Sequence, residues 1–368
     1  MCLFRFILMF FFIVDLTFAD LLKKTDSIAV ESPKQKKESS WLGFPLVYYT
    51  PETKLALGLL SLNRFSKEAQ GKTSNLLAVG SYTEKQQSIL SLTPRFYFDE
   101  GRKELSGNLF YSYYPNKYFG RSDYQVNSNS PENYTENNFN LMANYTHHIF
   151  SYFNTLWTVR TDKKKFINYL ENGQIAEEVN RYGQEIKIHS LSFSLEWDSR
   201  DYPQSPLSGE HHRVTLTKSQ NENKTFNDFT KKELELKKFF SLGDKKVLAG
   251  QFYFSQVEGE DIPFSFLSSL GGNRRLRGFY ENRFLDRSLT LFQLEWREDF
   301  SEKFSRTLFL ASGQVAKYNE DLLKSKNHMA FGIGLHYLLD HENRTKIRLD
   351  LGSSEEGLSI YFVTGEAF

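Results

Sequence analysis

Apolar and polar residues alternate with a period of two along most of this chain. Between 190 and 198, Leu191, Phe193, Leu195 and Trp197 fall on one side, and Ser190, Ser192, Ser194, Glu196 and Asp198 on the other. Phe292, Leu294 and Trp296 oppose Gln293, Glu295 and Arg297; Phe331, Ile333, Leu335 and Tyr337 oppose Ala330, Gly332, Gly334 and His336; Ile347, Leu349 and Leu351 oppose Lys346, Arg348 and Asp350. Successive side chains of a strand point to opposite faces, so each run predicts a strand with one apolar and one polar face. No helical pattern competes over a comparable length. About sixteen strands are expected, at 44–50, 53–64, 74–84, 87–98, 103–114, 138–150, 153–162, 185–198, 210–219, 229–240, 245–256, 286–299, 304–316, 327–339, 344–352 and 357–365.

The connections also alternate. Turns such as 99–102, 151–152, 242–245 and 340–343 are short, whereas 115–137, 163–184 and 257–285 are long. Short turns at one end and long loops at the other are the pattern of an outer-membrane barrel. A sheet in hydrocarbon must close, because an open edge leaves backbone groups unpaired. A soluble sandwich or propeller would also tolerate one polar face. Strands of ten or more residues with Trp and Tyr near their ends favour the all-β reading of a transmembrane antiparallel β-barrel.

Composition supports this. Aromatics reach 16% while mean hydropathy is only −0.50, a combination suited to strands in which every second residue is polar. Net charge is +1, which gives no reason to expect a nucleic-acid partner. Arg5, the apolar run 6–14 and the small residues of Thr17-Phe18-Ala19 predict a signal peptide over 1–19, cleaved before Asp20. Residues 20–40, polar and Lys-rich, are expected to be a disordered periplasmic linker, leaving 41–368 as the barrel. The single cysteine, Cys2, lies in the leader, so no disulfide, thiol nucleophile or cysteine-metal site is expected in the mature chain. The expected location is the outer membrane of a diderm bacterium. Its partners there would be outer-membrane lipids and the assembly machinery that inserts the barrel.

One stretch breaks the alternation. Leu270-Gly-Gly-Asn-Arg-Arg-Leu-Arg-Gly-Phe-Tyr280 carries three glycines and three arginines between two strands. Such a loop either sits in solvent or enters a polar interior that supplies carboxylates. The run Gly271-Gly272-Asn273-Arg274-Arg275-Leu276-Arg277-Gly278-Phe279 resembles the signature of the sixth extracellular loop in the BamA/TamA bacterial surface-antigen superfamily, which includes two-partner-secretion transporters. Three further stretches are similar to that family: the periplasmic turn Asp198-Ser-Arg200-Asp201 with Pro206 and Gly209; Pro115-Asn-Lys-Tyr-Phe-Gly120, like the opening of the third loop; and the last strand with Tyr361, Phe362 and the terminal Phe368, like the family's assembly signal.

The resemblance implies that the sixth loop folds into the lumen and that Arg277 meets acidic residues on the twelfth and thirteenth strands. Glu295 occupies the first of these positions, and its parity points it inward. The second is Ala311 in Phe309-Leu-Ala-Ser-Gly313, so Arg277 is left with one expected carboxylate and an unidentified substitute. The resemblance also implies a weak seam between first and last strands; Pro45, which lacks a ladder donor, either weakens pairing there or merely begins the strand, where proline is tolerated. A tether of 20–40 cannot hold the POTRA domains of assembly and secretion members, so a POTRA-less branch is expected. The implied role is insertion or translocation of protein or lipid, with client proteins or self-association as further partners and no cofactor or metal. A passive pore or structural barrel is the alternative. For an enzyme, His147-His148, His211-His212, Asp198 and Asp201 are the available groups. No Gly-x-Ser-x-Gly, His-Glu-x-x-His or phosphate-loop pattern accompanies them, and the paired histidines read as solvated turn residues. Lys163-Lys164-Lys165, Lys34, Lys36 and Lys37 likewise read as solvated.

Overall fold

The alternating runs form strands in the computed structural model. They are β1 (Ser40–Thr50), β2 (Lys54–Lys67), β3 (Thr73–Thr83), β4 (Ser88–Phe98), β5 (Lys103–Tyr118), β6 (Glu132–Phe150), β7 (Phe153–Ile167), β8 (Glu185–Asp198), β9 (Gly209–Asn221), β10 (Phe229–Ser241), β11 (Lys246–Glu258), β12 (Ser268–Leu270), β13 (Phe284–Asp286), β14 (Ser288–Asp299), β15 (Phe304–Ala316), β16 (His328–Asp340), β17 (Thr345–Ser354) and β18 (Gly357–Thr364). The structure describes residues 40–67, 73–121, 131–340 and 344–368. The leader, with Lys34, Lys36, Lys37 and all of the linker except Ser40, lies outside the described residues.

Sixteen of these strands close into one antiparallel barrel, in which β11 pairs with β14 and β18 returns to β1. The two short strands β12 and β13 pair with each other inside the loop that joins β11 to β14. Parity sorts the faces. Leu191, Leu195, Phe292, Phe331, Ile333 and Leu349 are exposed on the outside, whereas Glu196, Gln293, Glu295, Arg297, His336, Arg348 and Asp350 are buried inside. An outer apolar face and a polar interior define a membrane-spanning barrel rather than a soluble sandwich, whose apolar side would be the buried one.

The structure departs from the sequence reading at the long-loop end. β5, β6 and β7 continue past their expected limits, because their tips belong to an apolar cap. Tyr118, Tyr134 and Phe166 pack with Phe264 and Phe266 of the β11–β14 loop. Within 163–184, read as a loop, residues Gln174–Tyr182 form helix α1. Ile175 and Tyr182 are buried and Val179 packs with them, a one-face spacing that signals a helix once the length requirement is relaxed. Pro115–Tyr118 still belongs to β5 rather than opening a loop. The lysine run also divides by parity. Lys163 and Lys165 point outward, but Lys164 is buried, 3.2 Å from Glu136 and 4.9 Å from the centre of the Phe266 ring. The solvated reading is therefore corrected for Lys164.

Candidate functional site

The loop between β11 and β14 lies inside the barrel, against the wall formed by β14–β18. Two glycines permit this approach. Gly271 has φ +112°, and a Cβ there would lie 1.9 Å from the Tyr280 carbonyl oxygen. Gly278 has φ +117° and backs onto Gly352 of β17, where a Cβ would stand 2.9 Å from the Gly278 nitrogen. Neither position tolerates a side chain without displacing backbone. Asn273, Leu276 and Phe279 are buried with them, and Leu276 and Phe279 join an apolar cluster with Phe284, Leu289 and Ala330. Gly272 donates its N–H to the Phe279 carbonyl, 3.0 Å, which closes the loop on itself.

Arg277 is the loop's electrostatic anchor. Its guanidinium donates to Glu295 of β14 and, at 2.7 Å, to Asp350 of β17, and lies 3.6 Å from the centre of the Phe309 ring. Asp350 supplies the second carboxylate where Ala311 of β15 has none; Ala311 packs instead in the apolar cluster. Asp350, on β17 rather than β15, is the second acid. Its inward parity was legible in Lys346-x-Arg348-x-Asp350, but its distance to Arg277 depends on how the loop lies across the wall. Around this pair the charges form a ring. Glu295 also binds Arg297 (2.7 Å), Arg297 lies 3.9 Å from Glu366, Glu366 lies 3.2 Å from His336, and His336 is 3.2 Å from Asp350. Arg348 binds Asp350 as well, and donates to the Asn273 carbonyl at 2.8 Å. Every member is buried. Removing one partner from such a set leaves an uncompensated charge away from water.

The chain terminus closes the ring. After Thr364 the backbone turns at Gly365 (φ +82°), and residues 365–368 fold into the barrel mouth. Phe368 is buried with Phe239, Val247 and Ala249, and its carbonyl accepts from Arg297 at 3.1 Å. Burial alone would raise the Glu366 carboxyl; Arg297 and His336 overcome that and hold it well below the usual carboxylate range. Tyr361, inward on β18, accepts the Gly278 N–H at 3.0 Å, while Phe362 faces out, half-buried. The terminal Phe368 thus lies beyond the last strand and in the interior, not on the outer face beside Phe362.

The turn 199–208 serves this end of the barrel. Arg200 grips Asp198 with two bonds of 2.8 and 2.6 Å. Asp201 accepts the N–H groups of Tyr202, Leu207 and Ser208. Pro206 is buried, and a Cβ on Gly209 (φ +98°) would lie 2.3 Å from the Ser199 carbonyl oxygen. Ser205 then reaches Glu366 at 2.8 Å. Both aspartates are engaged in holding a turn. Three of the four candidate histidines are engaged too. His148 bonds to Asn154 and His212 to Glu210, and His211 is buried against Glu196 at 2.8 Å. The solvated reading is corrected for His211, whose inward parity makes it a lumen residue.

The seam lies beside this lock. β17 and β18 pair from Ile347↔Thr364 to Ser354↔Gly357, but β1 and β18 share only the register Tyr49↔Phe362 among the described residues. That register puts Val47 opposite Thr364, the last residue of β18, so Ser40–Leu46 has no β18 residue opposite it. The Glu84 N–H donates to the Leu55 carbonyl at 2.8 Å, so the peptide groups of Leu55 and Leu59 face β3. Those of their partners Tyr49 and Pro45 therefore face β18. Pro45 does lack its donor on the seam side, but at a level where β18 has already ended. β1 is also longer than the sequence reading expected, starting at Ser40. The early end of β18, more than the proline, leaves this edge open.

A closed sixteen-strand barrel with an arginine loop locked in its lumen belongs to a recognisable class of outer-membrane barrels. The Omp85 superfamily domain matches residues 69–368, and the chain belongs to that superfamily. Among solved structures it is similar to BamA from Haemophilus ducreyi lacking POTRA domains 1–3, at 15% identity and a TM-score of 0.65, covering 90% of this chain and 71% of that one. It is also similar to CdiB from Escherichia coli (13%, 0.61, covering 91% and 63%) and to CdiB from Acinetobacter baumannii (12%, 0.56, covering 90% and 60%). The chain thus spans under two thirds of the length of either CdiB, and at these identities the likeness is one of fold. No curated protein matches the sequence.

Proposed function

We propose that this protein is an integral outer-membrane barrel of a diderm bacterium that helps insert or translocate polypeptide, or lipid, by parting β1 from β18. The observation that carries this reading is the seam, with one register position at β1–β18 against a full ladder at β17–β18. An unpaired β1 edge offers backbone donors and acceptors to an incoming strand. The lock on β14, β17 and β18 would hold the rest of the wall while that edge opens. The terminal strand with Tyr361, Phe362 and Phe368 would guide the barrel's own assembly, and client proteins or a second copy would be its partners. No catalytic step is needed, since Asp198 and Asp201 hold a turn and His211 holds Glu196.

The test is a reversible staple. Tyr49→Cys and Phe362→Cys place two thiols on directly opposed residues, within disulfide reach, and the sole native cysteine is Cys2. In proteoliposomes, insertion of an unfolded outer-membrane barrel and scrambling of a fluorescent lipid are measured with the staple oxidised and reduced. Oxidation should slow at least one of them; equal rates in both states would rule out the seam as the route. The second reading, a passive pore, draws on a cavity of about 570 Å³ that Ser192, Thr217, Lys237, Arg274 and Arg275 help to line. Conductance unchanged by the staple and by Arg277→Ala, with no insertion or scrambling activity, would favour it.

A further inference from the structure

The outer face of β7–β10 changes chemistry abruptly near its long-loop end. Val159, Leu191, Leu216 and Leu234 are apolar outward residues on these four strands. Beyond them the outward positions become Lys163 and Lys165 on β7, Lys187 and His189 on β8, Lys218 on β9 and Lys232 on β10. On β16 and β18 the same end is apolar: Met329, Phe331 and Leu358 are all exposed. The basic strand face of β7–β10 thus lies on strands far from the seam.

Its internal charge balance is incomplete. Glu185 binds Lys163 (2.9 Å), Glu222 binds Lys187 (2.6 Å) and His189 (2.7 Å), and Glu258 binds Lys232 (2.7 Å). Lys165 and Lys218 have no ion pair among the described residues. Five lysines thus face three glutamates. Lys163 and Lys187 are also direct cross-strand partners, an arrangement of like charges that opposes sheet pairing unless an anion sits between them.

We infer that this face binds a phosphorylated lipid of the outer leaflet, its acyl chains along Val159, Leu191, Leu216 and Leu234 and its phosphates among Lys163, Lys187 and Lys218. Lysine is suited to the task, because its stem lies along apolar surface while its ammonium reaches the headgroup level. The inference rests on the membrane-embedded reading of the barrel but not on seam opening, so the staple experiment can fail without affecting it.

The test uses the full chain in nonionic detergent and four probes: bis-phosphorylated lipid A, the same lipid with both phosphates removed, phosphatidylglycerol and inorganic phosphate. Native mass spectrometry and a fluorescence titration read binding. Wild type should prefer the bis-phosphorylated lipid over the other three. The K163Q/K187Q/K218Q variant should bind it roughly tenfold or more weakly. The K317Q/K324Q/K326Q variant, altered elsewhere at the same end, should bind as wild type does. If the triple variant does not fold, K218Q alone should still weaken binding. Equal binding by wild type and the folded patch variant would overturn the inference, as would equal binding of the dephosphorylated lipid, phosphatidylglycerol or inorganic phosphate. A change in oligomeric state with lipid binding unaltered would assign the patch to protein contact and likewise overturn it.

Discussion

β18 has two neighbours and meets them in opposite ways. Toward β17 it makes a full ladder, and the pair is fastened again from inside by the lumen loop. Ser354 and Ser359 both donate to the Gly278 carbonyl, at 2.9 and 3.3 Å, and Tyr361 donates to that of Phe279 at 3.3 Å. Toward β1 it offers a single register position, and its continuation turns inward at Gly365. The loop also reaches the turn between β1 and β2, where the Glu281 N–H donates to Glu52 at 2.7 Å. One strand is thus fastened from inside toward β17, where loop bonds bridge the pair, and lightly joined toward β1.

The largest effect expected on this asymmetry comes from Arg277→Ala. It leaves Glu295 and Asp350 buried without their shared partner and should cost about 3–5 kcal/mol, read as a lower unfolding midpoint of the barrel in denaturant. A loss within experimental error would mean that the lock does not stabilise the wall. Next is Tyr361→Phe, which removes the acceptor of the Gly278 N–H and should cost about 1–3 kcal/mol. Its effect should be smaller in an Arg277→Ala background, since both act through one loop.

Glu52 allows a finer test with a pH sign. Burial raises its carboxyl above the ordinary range. A raised folded value means that the native state holds the proton more tightly than the unfolded chain, so this group's contribution grows as pH falls through the folded value and levels off below the unfolded one. The stability of wild type relative to Glu52→Gln should therefore rise on acidification through that window. A flat difference would contradict the burial effect. Glu52→Ala, which loses the acceptor for Glu281, should be less stable than Glu52→Gln at every pH. The smallest effect is expected from Pro45→Val. It restores a donor facing the seam where no β18 residue stands, so unfolding midpoints should change by no more than about 0.5 kcal/mol. A large gain would show that another segment pairs there.

Much of this architecture was legible from residue order alone. A strand's two-residue period is local, so alternation identified the barrel strands and assigned Glu295, Arg348 and Asp350 to the inside. Where the pattern weakened, so did the reading. The Asn-rich tip of β6 extends because it packs beneath Phe264 and Tyr118, and α1 is short enough that one apolar face of three residues is its whole signal. Lys164 and His211 looked like members of polar runs, yet parity inside a closed sheet buries one and leaves its neighbours outside.

Residue order sets the face of each strand residue, the position of the glycine-arginine loop between two strands, and the need of Arg277 for carboxylates, because periodicity, backbone freedom and the cost of burying charge are properties of local chain and side chain. Which acid answers Arg277 is settled by the folded barrel, since Asp350 lies 73 residues away in the chain and reaches it through barrel closure and the loop's path across the wall. The same closure turns the terminus into the lumen to complete the ionic ring and leaves the β18-facing edge of β1 largely unpaired, although β1 is fully paired with β2. Those outcomes depend on register and on where one strand ends relative to another, which no short stretch of sequence encodes.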